Sequence, residues 1–89
     1  MHKYRISCYQ KSNSVWFTNG GRLIVTDDEY IVKYLFQTVA RFDAHKTTVS
    51  EIPSILHNKG LRLDNGDAYI DLYFFPKTAE KLYELFELK

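Results

Sequence analysis

Eighty-nine residues set the expectation of one domain, spanning 1–89, with a small core and a modest stability margin. A net charge of +1, from twelve basic and eleven acidic residues, argues against the global cationic excess of a non-specific nucleic-acid binder. Four Gly and two Pro are too few for a low-complexity chain, and an aromatic content of 16% favours strands that pack flat side chains across a pleat.

In chain order, Lys3 to Tyr9 alternates: Tyr4, Ile6 and Cys8 share one face, and Lys3, Arg5 and Ser7 share the other, as in a half-buried strand. Lys11-Ser12-Asn13-Ser14 reads as a polar turn. Val15 to Thr18 is a short apolar strand, and Asn19-Gly20-Gly21 is expected to end it as a turn, because Gly tolerates positive φ. Arg22 to Thr26 follows, then an Asp27-Asp28 turn, then Tyr30 to Phe36.

The segment from Asp28 to Phe42 admits two readings. Ile31, Tyr34, Leu35, Thr38, Val39 and Phe42 fit a helical stripe with Asp27 as a cap. Such a helix would also be apolar at Val32, Phe36 and Ala40, which is unusual in a small domain. The β-branched and aromatic density favours strands, with a break near Gln37-Thr38 and a further strand at Val39 to Phe42.

Thr47 to Val49 reads as another strand, and Pro53 marks Ile52 to Leu56 as an edge or irregular segment. His57 to Gly60 reads as a turn before Leu61-Arg62-Leu63. Asp64-Asn65-Gly66-Asp67 is a hairpin signal leading into the strand Tyr69 to Phe75. Pro76-Lys77-Thr78 then opens a helix whose apolar stripe is Ala79, Leu82, Tyr83 and Phe86. Its Lys77/Lys81 and Glu80/Glu84 pairs are like-charged at i,i+4, so docking on the sheet must hold it.

Three segments carry a resemblance to a known fold: Gly21-Arg22-Leu23-Ile24-Val25-Thr26, Ser50-Glu51-Ile52-Pro53-Ser54-Ile55, and Asp67 to Phe75 followed by the terminal helix. Their order resembles the pleckstrin-homology-like (PH-like) superfold, particularly its GRAM and small bacterial versions. The resemblance implies an α+β domain: a bent antiparallel sheet or partly open barrel of about 6–7 strands capped by one C-terminal amphipathic helix. It also implies binding of lipid, peptide or protein without choosing among them. The basic first hairpin loop of the family's phosphoinositide binders is missing, since Lys11-Ser12-Asn13-Ser14 carries one lysine.

Chemistry is sparse. Cys8 cannot form an intramolecular disulfide and reads as a small buried apolar residue. Asp43-Ala44-His45, even with His57 nearby, falls short of three convergent metal ligands. Asp64 to Asp67 lacks the downstream Glu of a calcium loop, and Gly20-Gly21 precedes a strand where a phosphate cradle would open a helix. Lys3-Tyr4-Arg5 and Arg22, Lys33, Tyr34 interleave cations with aromatics, yet the balanced total charge disfavours nucleic acid. No catalytic residue, cofactor or metal is expected.

The residues favour a non-catalytic binding module that engages a protein partner or a second copy through an aromatic surface or sheet edge. Tyr73, Phe75, Ile52 and Ile55 are the candidates for that surface. The alternative is a peripheral module for anionic lipid, with Lys3, Arg5, Lys11 and Arg22 as the anionic-ligand patch. A small enzyme or metal protein is the third reading. Met1 opens the chain without an apolar signal region, and no run approaches the ~20 apolar residues of a membrane span. The expectation is a complete cytoplasmic protein, peripheral to a membrane under the lipid reading.

Overall fold

The computed structural model describes residues 2–11, 14–55 and 58–88, with side chains described for these apart from 11, 14–19 and 55. Among these residues, seven antiparallel strands form one curled sheet: β1 (His2–Lys11), β2 (Ser14–Val25), β3 (Glu29–Tyr34), β4 (Gln37–Asp43), β5 (Thr48–Ile55), β6 (Asn58–Asp64) and β7 (Tyr69–Phe74). The order is β4-β3-β2-β1-β7-β6-β5, so two meanders meet where β1 pairs with β7. A helix, α1 (Pro76–Leu85), plugs the concave side with Ala79 and Leu82. The result is the expected α+β half-barrel with its C-terminal helix.

Alternation decides which side chains enter the bowl. Tyr4, Leu23, Val32 and Ala40 are paired across β1 to β4 and all turn inward. Leu61 and Leu63 of β6 face Leu72 and Ile70 of β7 on the same inner surface. Tyr30 of β3 meets Phe86, just past the helix, edge to face at 5.4 Å, so the helix end bridges back to the first meander. The ambiguous segment from Asp28 to Phe42 is therefore strands, but its turn falls at Leu35-Phe36, earlier than the expected break at Gln37-Thr38.

Several local expectations are corrected. Asn19-Gly20-Gly21 is no turn: β2 continues through it. There the ladder shifts, since Ile6 faces Gly21 while Cys8 faces Phe17, leaving Ser7 against residues 18–20. Such a bulge bends the strand and breaks its parity. Ile6 and Tyr9 both reach the core, whereas Cys8 pairs with Tyr73 on the other face, so Tyr4, Ile6 and Cys8 do not share a face. Asn58 to Gly60, expected as a turn, begins β6 instead. The expected turn residues Ser12 and Asn13, as well as Leu56 and His57, lie outside the described residues.

Other expectations hold with altered detail. Pro53 sits in the edge strand β5 beside another ladder shift, as its missing N–H requires. The Asn65-Gly66 connection is a four-residue loop rather than a two-residue turn: Asn65 Oδ1 accepts from the Asp67 and Ala68 amides, and only Gly66 (φ 93) is left-handed. The helix begins with Pro76 at its first turn and ends in a Schellman arrangement, with the Leu88 amide donating to Tyr83 O and Glu87 amide to Glu84 O. Glu87 occupies the left-handed position (φ 58) that Gly usually fills.

A basic sheet face beside an apolar hairpin tip

The β2–β3 hairpin builds the candidate site. Thr26 fixes its turn: the Thr26 Oγ1 accepts from the Glu29 amide at 3.0 Å and the Asp28 amide at 3.3 Å. Pairing outward from Asp27-Asp28 places Leu23 against Val32 in the core and Arg22 against Lys33 on the opposite, outer face. Arg5 of β1 lies opposite Arg22, so Arg5, Arg22 and Lys33 form one cationic row across three strands. The next outward row is Lys3, Ile24, Ile31 and Arg41. Helix α1 covers the inner face, so this outer face stays uncovered by it.

Like charges directly opposite on a sheet repel. Among the described residues, none of Lys3, Arg5 or Lys33 has a carboxylate partner, and Arg22 turns its guanidinium to the Gly21 carbonyl at 2.9 Å. Arg41, farther along, is paired with Glu29 at 3.0 Å. Acidic residues collect at that far end: Asp27, Asp28, Glu29 and Asp43. The outer face thus runs from basic near the β3–β4 tip to acidic near the β2–β3 turn.

The tip itself is apolar. Tyr34, Leu35 and Phe36 are 37%, 63% and 98% exposed. Leu35 has φ 57, a left-handed conformation disfavoured for a branched side chain. Its amide donates to Gly20 O at 3.0 Å, and its side chain lies so close over Gly20 that a Cβ there would come within 2.5 Å of Leu35 Cδ2. Gly20 is needed for this close approach and not for a turn.

The structure brings Lys3, Arg5 and Arg22 together; the Lys11 side chain lies outside the described residues. The expected aromatic surface is corrected. Tyr73 is 4% exposed, because β7 is covered on both faces. Ile52 is half-buried and closes with Tyr73 over Gly60, where an added Cβ would clash with both. Phe75 is exposed alone at the start of α1, and the Ile55 side chain lies outside the described residues. Tyr73, Ile52 and Phe75 do not make one exposed patch. The sequence reading missed Lys33 as a patch member and missed the Leu35-Phe36 tip. Counting pairs outward from Asp27-Asp28 would have found Lys33.

The other half of the outer face differs. Arg62 of β6 lies opposite Asp71 of β7 and donates twice to its carboxylate, at 2.7 and 3.1 Å, while stacking 4.3 Å from the Tyr69 ring centre. Asp71 is buried, so the pair is structural. Burial pushes the Cys8 thiol up, away from the thiolate that reacts or binds metal. A shallow hollow at the acidic end holds Asp28, Asp43 and His45, with His45 Nε2 3.7 Å from Asp28 Oδ1, both highly exposed. It gathers no nucleophile with a base. Among the described residues no group of three or more metal-ligating side chains converges, and no helix is long and apolar enough to cross a membrane.

Comparison of the chain with protein-family models, with curated proteins and with solved structures gives no match.

Proposed function

We propose that this chain is a non-catalytic binding module of PH-like type that docks on anionic membrane surfaces through the outer face of β1, β2 and β3. The observation that carries the reading is the cationic row Arg5, Arg22 and Lys33, set in register with Lys3 beside it and, among the described residues, without carboxylate partners. Folding alone does not call for three cations side by side, and natural sheets accept such conflicts at functional sites. Each cation near an anionic leaflet contributes about 1 kcal/mol, so four give roughly 4 kcal/mol, a millimolar-range attraction. The electrostatic part is screened by salt over a Debye length of about 10 Å at 0.1 M.

The test is co-sedimentation with neutral phosphatidylcholine vesicles and with vesicles containing phosphatidylserine, at low and moderate salt. Binding to anionic vesicles alone, falling as salt rises, supports the reading. Absence of binding, or equal binding to both vesicle types, overturns it.

A second reading is strand addition by a protein partner or another copy at β4, which among the described residues lies at one end of the seven-stranded sheet. Concentration-dependent dimerisation in sedimentation equilibrium would support it. A strictly monomeric protein that retains no partner in a pull-down would remove it.

A further inference from the structure

The β3–β4 tip is not explained by folding or by the basic row. Phe36 is the most exposed large apolar residue described, and Leu35 beside it occupies a strained backbone position where Gly, Asn or Asp is usual. Strain of this kind persists only where surrounding contacts over-determine it. Here the Gly20 carbonyl and the bare Gly20 surface do so, clamping Leu35 down and fixing the hairpin's end. The tip is thus a preset wedge: Leu35 is its seat and Phe36 its point.

Resting on the membrane reading above, we infer that the Leu35-Phe36 tip inserts into the headgroup–acyl boundary of an anionic bilayer while the basic row lies on the headgroups. Charge placement chooses this occupant. Lys33 is two residues from Leu35, about 7 Å along the strand, and Arg22 pairs with it. The acidic residues Asp27, Asp28 and Asp43 lie at the opposite end of the same strands, so an anionic surface attracts the tip end and repels the other. An apolar point flanked by cations is the arrangement that amphipathic membrane-surface elements use, with Phe and Leu sunk about 5–10 Å below cationic neighbours. An acidic protein partner would satisfy the cations without any need for Phe36.

Partition of wild-type protein and of Phe36→Ser onto phosphatidylserine-containing vesicles tests the inference, with thermal unfolding confirming that the variant folds. Burial of a Phe side chain predicts at least about tenfold weaker partition for Phe36→Ser, with the remaining binding lost at moderate salt. In parallel, an environment-sensitive fluorophore is placed at Phe36→Cys and, as the far-end control, at Lys46→Cys; buried Cys8 stays unlabelled. Quenching by lipids spin-labelled along the acyl chain is expected at position 36 and not at 46. If wild type binds and Phe36→Ser binds equally, or position 36 is not quenched, insertion is wrong while the membrane reading stands. If wild type does not bind at all, the membrane reading itself fails. If Phe36→Ser abolishes a dimer seen without vesicles, the tip's occupant is a second copy and the inference is overturned.

Discussion

The two halves of the outer sheet face place cations in the same kind of position and treat them in opposite ways. On β6 and β7, Arg62 stands directly opposite Asp71 and is held by two hydrogen bonds. On β2 and β3, Arg22 stands directly opposite Lys33, with Arg5 on its other side. The first arrangement joins neighbouring strands through a buried carboxylate. The second works against the pairing it sits on. Composition hides this contrast, because the charges nearly cancel over the whole chain. Cross-strand register, not net charge, separates a cation set against a carboxylate from one set against its like.

The largest effect is expected from breaking the paired half. Asp71→Ala leaves Arg62 beside a buried site without its acceptor. The expected outcome is a fall in melting temperature of many degrees, with vesicle binding by the remaining folded protein retained. Loss of vesicle binding without loss of stability would mean that the paired half also touches the ligand.

Alkaline titration probes the paired half in another way. Burial raises the phenol of Tyr73, with Asp71 and Cys8 adding to the shift and Arg62 opposing it. Burial likewise raises Tyr9, Tyr30 and Tyr83. An acid raised in the folded state adds no pH dependence below its unfolded pKa. Above about pH 10 the unfolded chain releases these protons first, so stability falls as pH rises. Denaturant midpoints from pH 7 to 11 should be flat and then decline. A midpoint that rises in that range would contradict the buried placement of these rings.

How far the chain itself revealed this architecture follows from what each residue is used for. The Asp27-Asp28 turn, the Pro53 edge, the Asn65-Gly66 connection and the terminal helix were legible because each follows a local backbone rule. Gly20 misled because it serves a contact with Leu35, a residue fifteen positions away, and not a turn of its own. Leu35 and Phe36 were read as strand because neither is a usual turn residue; the positive φ at Leu35 is imposed by tertiary contact. Tyr73 was taken for surface because alternation alone cannot show that a strand is covered on both faces. Of the candidate site, Lys3, Arg5 and Arg22 were legible as a group. Lys33 needed the register, and the tip needed the contact between Leu35 and Gly20.

A smaller effect on stability is expected at the helix end. Glu87→Gly relieves the left-handed position at the helix end and is expected to stabilise the fold by about 1 kcal/mol. A denaturant midpoint no higher than that of wild type would contradict strain at this position.

The most direct measurement is of Lys33→Glu, for stability and for vesicle partition in the same buffer. The substitution places a carboxylate opposite Arg22, recreating on β2–β3 the pairing that Arg62 and Asp71 already make. The expected result is a gain in stability of roughly 0.2–1 kcal/mol together with loss of binding to anionic vesicles by about tenfold or more. A variant that is less stable than wild type, or more stable with unchanged partition, would contradict the assignment of this row to ligand binding.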